Sequence, residues 1–227
     1  MKKVAFFDID GTIFRSSLLI ELVERLIEKG VFPKNAKEGY LGQYHAWQNR
    51  TGGYQEYIMA VVAVYVNNIK GVHYGELADI GREVVKEQSN YVYRYTRDLV
   101  ADLKREGYFI VAISQSPKTI VDEFCREHGF DKVYGRIYEI GPQDRFTGVM
   151  TDVHLIEDKA KIVARVVEKE GVTLEGSVGV GDTEGDISLL EAVALPICFN
   201  PNMKLFERAK REDWKVVVER KDVIYEL

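Results

Sequence analysis

The chain has 227 residues, 46% apolar and 30% charged, with a net charge of −5. That composition excludes a disordered chain and argues against a general nucleic-acid binder, which carries a basic excess. Two cysteines, Cys125 and Cys198, exclude a disulfide framework, and no run approaches the roughly 18 apolar residues of a membrane span, so a cytoplasmic protein with no membrane partner is expected.

Residues 4–7 are a short continuous apolar run, the pattern of a parallel strand buried on both faces. It ends in Asp8-Ile9-Asp10-Gly11. Open α/β sheets bind ligands at the carboxyl ends of their strands, and side chains at i and i+2 leave a strand on one face. Two carboxylates that close repel unless a cation or a proton intervenes. Gly11 permits a tight turn.

Residues 17–29 read as an amphipathic helix, with Leu19, Leu22, Val23, Leu26 and Ile27 on one face and Gly30 after it. A tyrosine-rich stretch follows, with further helices predicted over 55–66 and 74–88. Nothing between about 15 and 95 resembles a buried strand, so this part reads as a helical insertion after the first strand. Its tyrosines read first as half-buried packing with polar tips.

The strand–helix rhythm resumes near Arg97. Strands are expected at 108–113, 177–180, 195–199 and 215–218, and helices at 119–128 and 159–170. Residues 135–153 break the rhythm again and predict a small β-hairpin around Gly141-Pro142-Gln143-Asp144. Ser114 ends the second strand. Ser116-Pro117 after it reads as a helix N-cap and first residue, a place that suits an anion. Lys159 opens a helix, where its charge opposes the helix dipole, a cost explained if it faces a carboxylate and a phosphate.

Gly181-Asp182-Thr183-Glu184-Gly185-Asp186 follows the third apolar run, so acids again stand where a strand ends. Three or four carboxylates converging on one point require a cation. Hard oxygen ligands with open positions suit Mg²⁺, which holds substrate phosphate beside one or two carboxylates. The glycines here miss the dinucleotide fingerprint by one residue, and no P-loop occurs.

Together, Phe6-Phe7-Asp8-Ile9-Asp10-Gly11-Thr12, Ser114, Lys159 and Gly181-Asp182-x-x-x-Asp186 resemble the four ordered motifs of the haloacid dehalogenase superfamily. The insertion after the first motif resembles its C1-capped branch, and the spacing resembles the phosphoserine-phosphatase-like subgroup. The resemblance implies an α/β fold with a Rossmann-like parallel sheet, the core at 1–14 and 96–227 and a helical cap domain at 15–95. It implies a Mg²⁺-dependent phosphatase of a small organic phosphate monoester. Asp8 would be the nucleophile, Asp10 the general acid and base, and Lys159 the charge compensator. Gly11, Thr12, Ser114 and Gln115 would lie at the phosphate. Asp8, Asp10 through its carbonyl, Asp182 and Asp186 would hold the metal. A phosphotransferase on the same aspartyl-phosphate and a phospho-aspartate receiver module are the alternatives.

The sequence departs from the subgroup at Ser17, where a substrate-reading glutamate is expected, with Glu21 one turn later. It departs again at Gln115-Ser116, where two glycines are expected. Arg15 beside the site suggests a substrate with an additional anionic group. Glu184, inside the fourth motif, either points to solvent or adds a metal ligand.

Overall fold

The computed structural model describes residues 1–227. Its centre is an eight-stranded sheet in the order β4-β3-β2-β1-β5-β6-β7-β8. The strands are β1 (Lys2–Phe7), β2 (Phe109–Pro117), β3 (Lys132–Ile140), β4 (Phe146–Thr151), β5 (Val172–Gly181), β6 (Leu195–Phe199), β7 (Lys215–Arg220) and β8 (Val223–Glu226). From β3 to β7 the pairing is parallel; β4 and β8 are antiparallel edges.

The alternation of β1 explains its continuous apolar run. Ala5 and Phe7 enter the large cluster on one face, while Val4 and Phe6 enter a second cluster on the other. Each fully buried Phe contributes roughly 1.5–3 kcal/mol over an exposed one. On the first face lie α5 (Arg94–Arg105), through Val100 and Leu103, and α6 (Lys118–Glu127), through Ile120, Val121 and Phe124. On the second lie α8 (Lys159–Glu170), through Ile162, Val163 and Val166, and the short α7 (Val153–Ile156) and α9 (Ile187–Glu191). Leu205 and Ala209 of α10 (Met203–Glu212) meet Cys198 and Val216 there.

The segment between β1 and α5 is entirely helical: α1 (Leu18–Glu28), α2 (Glu38–Gln48), α3 (Tyr54–Ile69) and α4 (Tyr74–Gln88). Its entry and exit run side by side, since Arg15 N donates to Tyr91 O and Tyr93 N donates to Ile13 O. Residue 96, the expected boundary, falls inside α5, which begins at Arg94. The aromatic side chains of α2 and α3 pack mainly on one another: Trp47 and Tyr57 stack with ring centroids 5.7 Å apart, and Tyr44 lies 5.3 Å from Tyr57. No helix is long and apolar enough to cross a membrane.

The elements differ from expectation in detail. β2 runs to Pro117, four residues beyond the predicted end, so Pro117 is the N-cap of α6 and neither Ser114 nor Ser116 caps it. β8 and α2 carry no sequence signal strong enough to predict. The predicted hairpin is present, with Ile140 opposite Phe146.

Candidate active site

The carboxyl ends of β1, β2 and β5 meet at one cavity of about 220 Å³. Parallel pairing of β1 with both neighbours places Asp8 and Asp10 between Ser114 and Asp182. Asp8 follows the last residue of β1, and its backbone N–H still donates to Val180 O of β5 (2.9 Å).

Lys159 lies at the start of α8, which Asp158 caps by accepting from Ala160 N. Its ammonium is buried (3% exposed) and donates to Asp8 Oδ1 at 2.6 Å, Asp186 Oδ1 at 2.5 Å and Ile113 O at 3.3 Å. Two carboxylates outweigh burial and hold Lys159 above the ordinary lysine range. The sequence expectation that Lys159 faces a carboxylate holds twice over.

The second oxygen of Asp186 accepts from Asp182 N, Thr183 N and Thr183 Oγ1 at 3.0, 3.0 and 3.3 Å. Gly181 is required here, because a Cβ at that position would fall 2.4 Å from the Asp186 Cβ. Asp186 therefore has both oxygens occupied by protein donors. Asp8 Oδ2, by contrast, is buried with no partner. The Asp182 carboxylate accepts only a long bond from Thr12 Oγ1 (3.4 Å). Ligand oxygens of Asp8, Asp182 and Asp186 lie within 4.8 Å of one another. Burial, with the charges of the neighbouring aspartates, pushes the Asp8 carboxyl up to about 7 against the pull of Lys159. Burial raises Asp182 as well. One ammonium does not neutralise this many carboxylates, and the free oxygens of Asp8 and Asp182 are what a hard divalent cation requires.

Asp10 is turned the other way. Its Oδ1 accepts from Leu18 N (2.6 Å), and its Oδ2 accepts from Ser114 Oγ (2.5 Å) and Ser116 Oγ (2.9 Å). Ser116 Oγ also accepts from Leu19 N (3.2 Å). The Asp10 carboxylate thus ties the end of β2 to the first turn of α1. Gly11 adopts φ +85°, and a Cβ there would fall 2.2 Å from Asp182 Oδ2. Gly11 and Thr12 lie against Asp182 and do not line the cavity that contains Asp8.

Arg15 departs from its expected place. Its Nη2 donates to Glu219 Oε1 (2.5 Å), its Nε donates to Val92 O (2.8 Å), and the guanidinium lies over the Tyr93 ring. Glu219 is buried and also accepts from Arg94 N and Tyr95 N, capping α5 from β7. Arg15 is therefore structural. Glu219→Ala should lower the unfolding free energy by about 2–3 kcal/mol, seen as a lower urea midpoint, with KM for any substrate within about twofold of wild type.

Glu21 likewise stays outside the cavity; its Oε1 accepts from Ser16 Oγ. Glu184 is drawn to α10, where Lys204 Nζ donates to it at 2.9 Å and Asn202 Nδ2 also donates. It adds no oxygen to the acidic group.

α3 closes the cavity with Tyr54, Gln55, Ile58, Met59 and Val62, one face of the helix. Two core residues complete it: Ser116, which the sequence reads as a helix cap, and Arg136, which the sequence does not single out. Ser116 holds Asp10, and Arg136 of β3 reaches Gln115, whose Oε1 accepts from Arg136 Nη2 at 2.6 Å. Gln115, expected at the phosphate, lines the cavity and holds an arginine. No local pattern marks Arg136; the β2–β3 register, which sets it opposite Pro117, brings it there.

The sequence profile of haloacid dehalogenase-like hydrolases matches residues 5–191. A histidinol-phosphatase of Neisseria meningitidis serogroup C is 26% identical over 226 residues, 96% of this chain and 99% of that protein. A phosphoserine phosphatase of Archaeoglobus fulgidus is 27% identical over 206 residues, 88% of this chain and 53% of that protein. The solved structure of a phospho-aspartyl intermediate analogue of phosphoserine phosphatase superposes with a TM-score of 0.61 at 22% identity, covering 97% of this chain and 95% of that one.

Proposed function

The chain belongs to the haloacid dehalogenase-like hydrolases and is a phosphatase of small organic phosphate monoesters; on that premise we propose that Asp8 is its nucleophile, Asp10 its general acid and base, and Mg²⁺ its cofactor. One observation carries this reading above the others: Asp8 has one oxygen fixed by Lys159 and the other buried with no partner, at a strand end that opens into the cavity.

Asp8 and Asp182 would hold Mg²⁺, together with the carbonyl of Asp10, while Asp186 orients Lys159 and the Asp182 backbone. The bound cation would offset the repulsion between an anionic nucleophile and an anionic phosphoryl group. Lys159 fixes the rotamer of Asp8 and supplies positive charge beside it. In the first step an Asp8 oxygen bonds to phosphorus, the ester P–O bond breaks, and Asp10 gives its proton to the leaving oxygen. In the second step Asp10 takes a proton from water, water oxygen bonds to phosphorus, and the bond to Asp8 breaks to release phosphate. Asp10 accepts from Leu18 N, so its aim is coupled to the seat of α1, and the helical insertion would act as the cap that excludes water. Ser114 and Ser116 hold Asp10 on the side of β2.

Phosphate release from a panel of monoesters, in Mg²⁺ and in EDTA, tests the reading: Mg²⁺-dependent release is expected, and metal-independent release would overturn it. Asp10→Asn should lower kcat for alkyl phosphates by about 10²–10⁴. The loss should be smaller for an aryl phosphate, whose leaving oxygen needs less help from a proton.

A further inference from the structure

We propose that Arg136 binds a second oxyanion on the substrate, so that the natural ester is a small phosphorylated alcohol carrying a carboxylate or a second phosphate. The inference rests on the phosphatase reading and names its substrate class.

Lys159 and Arg136 are the two cations that line the cavity, and Lys159 is committed to Asp8 and Asp186. Arg136 has no carboxylate partner. Its Nη2 rests on the neutral Gln115 amide, its Nη1 reaches only Met150 Sδ at 3.5 Å, and its Nε is shielded from solvent with no partner. A guanidinium stays charged throughout the pH range of catalysis. Nε–H and Nη2–H form the side of the fork that accepts a carboxylate or phosphate in two parallel bonds. An oxyanion that displaces the Gln115 amide would meet both.

Position separates this role from phosphoryl binding. β3 is two strands from β1, about 10 Å across the sheet. Arg136 shares a strand face with Tyr138, whose ring packs 5.1 Å from that of Tyr65 on α3. It therefore sits beneath the helical insertion, two strands away from the strand that carries Asp8. The face of the insertion above offers Leu19, Ile58, Met59 and Val62, with Ser17 and Gln55 as uncharged polar groups. Tyr54 completes this face with a neutral phenol. An ester ending in an ammonium group finds no acid there and meets the charge of Arg136. The cavity, smaller than the roughly 300–1,000 Å³ typical of drug-sized ligands, fits a short substrate.

Steady-state kinetics on four esters decides this: a phosphorylated hydroxy acid, a short-diol bisphosphate, phosphoethanolamine and an aryl phosphate. Wild type should prefer one of the first two, which also separates carboxylate from phosphate. Arg136→Gln should raise KM for that ester at least about tenfold more than for the aryl phosphate, with an unchanged melting temperature. Arg136→Lys should recover part of the loss, having charge without the fork. Equal effects on all esters, or preference for phosphoethanolamine, would overturn the inference. Wild type that hydrolyses none would instead overturn the phosphatase reading. Binding of phosphonoacetate, which has two oxyanions and no ester, then reads Arg136 directly by calorimetry: affinity unchanged in Arg136→Gln would overturn it.

Discussion

Asp8→Asn should lower phosphate release by at least about 10⁴-fold while the protein stays folded. An amide nitrogen and a carbonyl oxygen fill the same volume as the carboxylate, and the oxygen can still accept from Lys159. What is lost is the anionic oxygen that forms the bond to phosphorus. Asp8 is buried, at 7% exposed, and the carboxylates around it have other roles, Asp182 as the proposed metal ligand. Asp10 is engaged by Leu18, Ser114 and Ser116, and Asp186 by Lys159 and the Asp182–Thr183 backbone. Circular dichroism and a thermal melt beside the assay separate lost chemistry from lost fold.

The metal-free protein should lose stability as pH rises, and Mg²⁺ should restore it. Asp8 titrates near 3.8 in the unfolded chain and near 7 when folded without a cation, because burial disfavours its charge. Asp182 shifts in the same direction. Between about pH 4 and pH 7 the folded state therefore binds more protons than the unfolded one, and unfolding free energy falls with pH across that window. The Asp8 contribution alone is of the order of 2–4 kcal/mol, complete above pH 7. A divalent cation replaces those protons, so its stabilisation grows with pH. At one hundred times its dissociation constant Mg²⁺ adds about 2.7 kcal/mol, or roughly 5–10 °C in Tm for a chain of this size, at pH 8. The rise should be much smaller at pH 5. In EDTA at pH 8, Asp8→Asn should melt at or above wild type. A Tm in EDTA that climbs from pH 5 to pH 8, with no effect of Mg²⁺, would contradict the assignment of these carboxylates.

The parts of the site that were legible in the sequence are those fixed by local chain geometry. Asp8 and Asp10 announce themselves at the end of a run buried on both faces, and Asp182 and Asp186 at the end of another. Lys159 stands out because its charge is misplaced for the first turn of a helix. Each signal needs only a few neighbouring residues. Arg136 gives no such signal, since its place depends on the pairing of β2 with β3 and on how α3 lies over the sheet. Arg15 shows the converse. It is five residues from Asp10, yet Glu219, more than two hundred residues away, captures it. Closeness in sequence sets where a backbone goes, and the partner that pays for burying a charge sets where a long side chain ends.

The same division holds for the fold. Continuous apolar runs mark β1, β2, β5, β6 and β7, and their absence between residues 15 and 95 marks the insertion; β3, parallel to β2, reads in the sequence only as an arm of the hairpin. β8 escaped because an exposed antiparallel edge needs no buried run; its burial alternates only weakly. Ser116-Pro117 reads as a helix start in the sequence because a serine before a proline has the same local pattern whether it caps a helix or ends a strand. Asp10 decides between them by accepting from the Ser116 hydroxyl.

The central claim is a covalent phosphoryl group on Asp8. The most direct measurement is acid quenching of the Mg²⁺-loaded enzyme during turnover of an aryl phosphate, followed by peptide mass spectrometry. The account predicts one phosphoryl group on the peptide that contains Asp8, released by neutral hydroxylamine and absent from Asp8→Asn. Turnover at full rate with that peptide unmodified, and phosphate release retained in Asp8→Asn, would contradict it.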